Sequence, residues 1–203
     1  LNLPATTATP PESKEKDVLE ESKLSTRQKL LNQLIGNEDF RERAYPDPIY
    51  GSKVPTTGIG TTRQSPGAIA YLRSKGLDPD KVFTIGEGGQ TITEDQARAM
   101  VNLALDSNLT QLKSLYPNFS NYPEPARLGL QDMAYQMGPG AVGNFINMTD
   151  ALRQDVVDWG AVRGHAFDSK WAKQTPNRAK RVSDQIGSAA TYKPPVLYPN
   201  PVP

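Results

Sequence analysis

The stretch Gly36-Asn37-Glu38-Asp39-Phe40-Arg41-Glu42-Arg43-Ala44-Tyr45-Pro46-Asp47, followed by Thr56-Thr57-Gly58-Ile59-Gly60, decides how this chain is read. Upstream, Ser25 stands three residues before Gln28, a capping-box pattern, and Leu30, Leu31, Leu34 and Ile35 recur at helical spacing. A helix is therefore expected from Thr26 to about Asn37, with Glu38 at its end. Over residues 40–62 the pattern changes. Pro46, Pro48, Gly51, Pro55, Gly58 and Gly60 punctuate short β-branched and aromatic groups, which suits the short strands of a small sheet. Glu38 thus closes a helix and Asp47 lies in a proline-flanked turn. Two acids in different surroundings can hold different protonation states at one pH. The chain has 22 acidic residues, however, and spacing alone equally allows Glu38 to cap a helix and Asp47 to shape a turn.

Working outward, Thr93 followed by Glu94, Asp95 and Gln96 marks another helix start. Ala97, Met100, Val101, Leu105, Leu109, Leu112 and Leu115 extend it as one long helix. Beyond Tyr122-Pro123-Glu124-Pro125 the chain reads as helices, with breaks at Gly138-Pro139-Gly140, Gly160 and Pro176. The fold class expected is α+β. A β-rich lobe over 37–92 and a helical lobe over 117–188 are joined by a helix over 93–116, leaving a cleft between lobes suited to a polymer. Residues 1–24 read as a tail, with a charged helix possible over Glu15–Lys23, and 189–203 as a proline-rich linker. Five of the ten residues from Pro194 to Pro203 are proline, which excludes helix and central strand there. Two such ends make this read as a domain, 25–188, taken from a longer protein.

Composition narrows the chemistry. The chain has no cysteine and a single histidine, His165, so disulfides, thiolate sites and histidine-based metal clusters are excluded; no metal or other cofactor is expected. A formal net charge of +1 predicts no strong nucleic-acid field. No apolar run reaches the roughly 20 residues of a membrane span, and the first residues carry no signal-peptide pattern. Gly86-Glu87-Gly88-Gly89 lacks the Lys-Ser/Thr of a phosphate-binding loop, and no Gly-x-Ser-x-Gly occurs. Lys173, Arg178, Lys180 and Arg181 form a basic cluster, read as a solvated face or an attraction to anionic cell wall.

Glu38, Asp47 and Thr56-Thr57-Gly58-Ile59-Gly60, in that order, resemble the catalytic stretch of the T-even phage lysozyme family, glycoside hydrolase family 24. Gln136-Met137-Gly138 resembles a second family motif. Trp171, with Gln174-Thr175-Pro176-Asn177-Arg178-Ala179-Lys180-Arg181-Val182, resembles its closing motif. The resemblance covers about residues 28–185. It implies a lysozyme-like two-lobed fold and cleavage of the β-1,4 bond between N-acetylmuramic acid and N-acetylglucosamine in bacterial peptidoglycan. Glu38 would be the general acid, Asp47 would activate the attacking water and Thr56 would help place it, with Gly58 and Gly60 supporting the turn. Inversion at the anomeric carbon is implied, with the carboxyls about 6.5–9.5 Å apart. Tyr135 and Gln136 match positions lining the sugar cleft; His165 and Met148 stand where the family has an asparagine and a serine of that cleft.

Arg178 matches the arginine that pairs with the family's glutamate. This raises a tension, since a guanidinium favours the carboxylate and a general acid needs its proton. One resolution is that Arg178 fixes Glu38 in the empty enzyme and bound sugar restores the proton by excluding water. The sequence also departs from the pattern. The segment between Asp47 and Thr56 is three residues longer than in the family's best-known member, so Thr57 competes with Thr56 for the water-placing role. A family ion pair is replaced at both ends, by Thr61 and Ala104. The setting expected is a phage tail or baseplate spike, which by analogy implies a trimer, with peptidoglycan and other tail proteins as partners. It would act from the virion at the host wall. The alternatives are a free endolysin made in the host cytoplasm, an inactive wall-binding or spike domain, and a lytic transglycosylase, which needs no water-activating aspartate.

Overall fold

The structure, a computed structural model, describes residues 24–48 and 51–194. The expected tail helix over Glu15–Lys23 and the proline-rich segment from 195 onward lie outside the described residues.

Helix α1 (Thr26–Glu38) starts where the capping box places it: the Ser25 hydroxyl accepts from the Gln28 N–H, and the Gln28 side chain accepts from the Ser25 N–H. It buries Leu30 and Leu34 and ends at Asp39, whose φ of 52° and ψ of 157° turn the chain abruptly into the sheet. Three antiparallel strands follow in the order β1 (Arg41–Asp47), β2 (Gly51–Gly58) and β3 (Thr61–Thr62). Tyr45 stands opposite Thr56, and Thr56 opposite Thr62. The sheet is confined to residues 41–62. The rest of the lobe expected to be β-rich holds two short helices, α2 (Ala68–Ser74) and α3 (Pro79–Val82). Local chemistry accounts for both. Ala68 and Leu72 bury one face of α2, and the Asp78 carboxylate caps α3 with Pro79 at its first position.

Helix α4 (Glu94–Leu115) begins with a second capping box, Thr93 and Gln96. It belongs to two cores. Its N-terminal half places Ala97, Met100, Val101 and Leu105 against Leu30, Leu34, Ile59, Leu72 and Phe83. Further along, Leu112 joins Tyr116, Phe119, Leu130, Met133, Met148, Val162 and Ile186. The second core is built by α5 (Glu124–Met137), α6 (Pro139–Gly143), α7 (Ile146–Leu152), α8 (Trp159–Phe167), α9 (Lys170–Gln174) and α10 (Pro176–Gly187). Gly138 and Pro176 mark helix junctions as expected. Gly160 does not: it is the second residue of α8, which the Asp158 side chain caps by accepting from the Ala161 N–H, so the break lies before it. The linker expected from 189 begins later, because Ser188–Thr191 form a 3-10 turn that buries Ala189 against the helical core. No helix among the described residues is long and apolar enough to cross a membrane.

Candidate active site

A cleft of about 480 Å³ opens between the sheet and the helical core. Glu38, Tyr45, Asp47, Thr56, Gly60 and Thr62 line it from one side; Ala104 and Asn108 of α4, Tyr135, Gln136 and Met137 of α5, and Arg178 line it from the other. Strand alternation explains the sheet side. Successive side chains point to opposite faces, so Tyr45 and Asp47 share one face of β1, and the cross-strand row Tyr45–Thr56–Thr62 shares that face. Thr57, paired with Thr61, takes the other face. It is fully buried, it does not line the cleft, and its hydroxyl has no hydrogen-bond partner. Of the two threonines, Thr56 is the one that lines the cleft. The register jumps between Pro46, opposite Pro55, and Asp47, opposite Gly51. This irregularity lies beside Asp47 and leaves Thr56 opposite Tyr45. Bulges of this kind re-aim side chains at strand ends.

Glu38 is the last residue of α1, and the next, Asp39, is the one non-glycine with positive φ among the described residues. That backbone region costs about 1–3 kcal/mol for a residue with a side chain. The turn it makes leaves the Glu38 carboxyl at the cleft floor, only partly exposed (23%). Gly60, at φ +68°, passes so close that a Cβ there would lie 3.0 Å from Glu38 Oε2. Arg178 Nη1 donates to Glu38 Oε1. The guanidinium is also held from behind: its Nε donates to Asp132 Oδ1 at 2.8 Å, and Nη2 lies 2.8 Å from the same oxygen, close as an ion pair but not aligned as a hydrogen bond. Asp132 is completely buried, and its other oxygen accepts from Gln33 Nε2 and from Asn37 Nδ2, the latter at 3.1 Å. Burial works against the Arg178 charge, yet Asp132, and after it Glu38, outweigh that and hold the guanidinium above its ordinary pKa.

Tyr135 is half-buried with its hydroxyl turned inward, donating to the Ile59 carbonyl; burial raises its pKa well above the usual phenol range. Burial, with the nearby Glu38 charge second, also raises that of Tyr45. The Gln136 side-chain oxygen accepts from Trp171 Nε1 at 2.8 Å, which fixes an amide at the cleft wall. Of the residues singled out in the sequence, Glu38, Asp47, Thr56, Gly60, Tyr135, Gln136 and Arg178 meet in this cleft, with Gly58 packed against Ala97 just behind it. His165 and Met148 do not join them. They line a separate hollow of about 340 Å³ with Phe145 and Trp171, on the other side of the Gln136–Trp171 pair, and Met148 is fully buried in the helical core. Sequence reasoning missed Tyr45, Asn108 and above all Asp132. The available clue to Asp132 was an acid within a largely apolar stretch of α5 that holds Leu130, Met133 and Ala134. Acids there are rarely buried unless paired.

No family model matches the chain. It is similar to the pre-baseplate central spike protein Gp5 of Enterobacteria phage T4, with 28% identity over 159 residues. That alignment takes in 76% of this chain and 27% of the phage protein, so the chain spans about a quarter of its relative's length.

Proposed function

We propose that this chain is the cell-wall-cutting domain of a phage tail spike: a muramidase of lysozyme-like fold that hydrolyses the β-1,4 bond between N-acetylmuramic acid and N-acetylglucosamine. The observation that carries this reading is the meeting of Glu38, Asp47 and Thr56 in one cleft, with Arg178 behind Glu38. This is the set, in the places, that the resemblance to phage lysozymes implies. The cleft runs between two separately packed cores, which suits a strand substrate entering from the side. Similarity to a baseplate spike protein supports the spike setting over a free endolysin.

The chemistry follows from the two carboxyl groups. Protonated Glu38 gives its proton to the glycosidic oxygen as the bond to the anomeric carbon breaks. A water held at Thr56 and Asp47 attacks that carbon from the opposite face and passes its proton to Asp47. The products are a free hydroxyl on one sugar and an inverted, α-configured reducing end on the other. Tyr135 offers a ring to an apolar sugar face. Gln136, oriented by Trp171, offers its amide N–H groups to an acetamido carbonyl.

Digestion of purified peptidoglycan by the full chain, with mass spectrometry of the products, tests this reading. Reducing-end muropeptides are expected, with a loss of about 10²-fold or more in Glu38→Gln and Asp47→Asn. Anhydro-muramic ends would replace hydrolysis by transglycosylation and remove Asp47 from its role. No products at all would leave a wall-binding or structural domain.

A further inference from the structure

We infer that Asp132 is a positioning residue for Glu38: it grips Arg178 from behind and offsets its charge, so that Glu38 keeps a proton to donate. The inference rests on the reading of Glu38 as general acid, and it addresses the tension that reading carries.

Arg178 sits between two carboxylates, Glu38 and Asp132. The two carboxylates share the Arg178 charge, so the more closely Asp132 holds it, the less it favours a charged Glu38. The hydrogen bonding divides that charge unequally. Asp132 is wholly buried, and its two oxygens accept from Arg178 Nε, Gln33 Nε2 and Asn37 Nδ2, with Arg178 Nη2 close by. Donors aimed at a carboxylate favour its charged form. Glu38 has one such donor, from the shared Arg178, and faces the cleft. The Arg178 charge is therefore offset mainly by Asp132 rather than by Glu38. The other charged and titratable groups near Glu38 do not reverse this. From β1, the Tyr45 phenol is neutral. From α5, Tyr135 is a neutral phenol. From α10, Arg181 reaches only Asp132, at 4.0 Å. The same grip also fixes the guanidinium: Gln33 and Asn37 hold Asp132 and Asp132 holds Arg178, so Glu38 meets a cation that cannot swing away.

Asp132→Asn tests the inference, because it keeps the shape and removes the charge. Titration of the Glu38 side-chain carboxyl by carbon NMR in the full chain is expected to move to lower pH by about one unit. The alkaline limb of the pH–rate profile on peptidoglycan should move with it. A purely structural role would lower the rate at every pH without moving either midpoint, and an unmoved Glu38 titration in folded Asp132→Asn overturns the proposal. Should the single variant fail to fold with an uncompensated guanidinium inside, Arg178→Gln/Asp132→Asn removes both buried charges. There Glu38 is expected to titrate within about half a unit of the parent, since the deleted charges offset one another; a rise of about one unit or more overturns the proposal. If the parent releases no muropeptides, the muramidase reading falls, while the Glu38 titration still decides the place of Asp132.

Discussion

Gly60→Ala separates the cost of a strained backbone from the cost of moving the candidate acid. Gly60 has φ +68°, and a Cβ there would meet Glu38 Oε2 at 3.0 Å, Cδ at 3.1 Å and Cγ at 3.2 Å. The backbone term is about 1–2 kcal/mol for alanine in a left-handed conformation. In a chain of this size each kcal/mol lowers Tm by about 2–4 °C. The contact term is different in kind. Ordinary carbon–carbon contact lies at about 3.5–4.0 Å, so Glu38 must retreat by a few tenths of an ångström. It cannot do so freely, because Arg178 holds it and Asp132 holds Arg178. A misplacement of 1 Å can cost about 10²-fold in rate, so a shift of this size should cost about 3- to 10-fold. The loss should fall on kcat, because no sugar-contacting wall residue moves. Gly76 is the control: its φ is +71°, and nothing lies within 4 Å of a Cβ built there. Gly76→Ala should show the same fall in Tm by circular dichroism and the parental rate of muropeptide release. Equal rates for Gly60→Ala and Gly76→Ala would refute the claim that Gly60 sets the position of Glu38.

Two further outcomes follow from the same geometry. Thr56→Val should reduce muropeptide release by about 10-fold or more with little change in stability. Thr57→Val replaces a buried hydroxyl that has no partner, and should leave the rate unchanged and stability equal or higher by up to about 1 kcal/mol; the reverse pattern in the two rates would reassign the water-placing threonine. Stability should also fail at alkaline pH. Burial pushes the Tyr122 phenol from 10.0 up to about 12 and raises Tyr116 as well, so the folded state prefers both neutral. A raised folded pKa gives stability that is complete below the unfolded value and is lost as pH rises through the folded one. Thermal melts should therefore hold steady up to about pH 10 and fall between 10 and 12, with phenolate absorbance rising together with unfolding.

What was legible in the sequence was local. Ser25 with Gln28, and Thr93 with Gln96, announce their helices because a capping box is satisfied within four residues. The sheet at 41–62 was legible because prolines and glycines forbid anything longer. Where the reading slipped, local cues pointed both ways. Residues 63–92 hold as many turn formers as a β-lobe would, and burial of Ala68, Leu72 and Val82, together with the Asp78–Pro79 cap, selects short helices there. Gly160 looks like a break, but Asp158 caps the helix before it, and a glycine in a first turn costs little.

The site divides along the same line, and the division has a physical cause. Glu38, Asp47 and Thr56 lie within one helix–hairpin unit, so their order along the chain already carries their geometry. Strand alternation then turns Thr56 rather than Thr57 toward the cleft once the pairing Tyr45–Thr56–Thr62 is known. The charges that govern the acid come from far along the chain: Asp132 from the middle of α5 and Arg178 from the start of α10, brought together only when the helical core closes. No spacing rule finds such a pair. What could have pointed to it is a mismatch, an acid in a helix stretch where Leu128, Leu130, Met133 and Ala134 are all buried. A carboxylate in that position is destabilising unless something compensates it. Gln33 and Asn37 reach it from α1, the helix that ends in Glu38, while Arg178 reaches it from α10. The packing of α1 on α5 and the placement of the candidate acid are thus one interaction, and loosening either should loosen both.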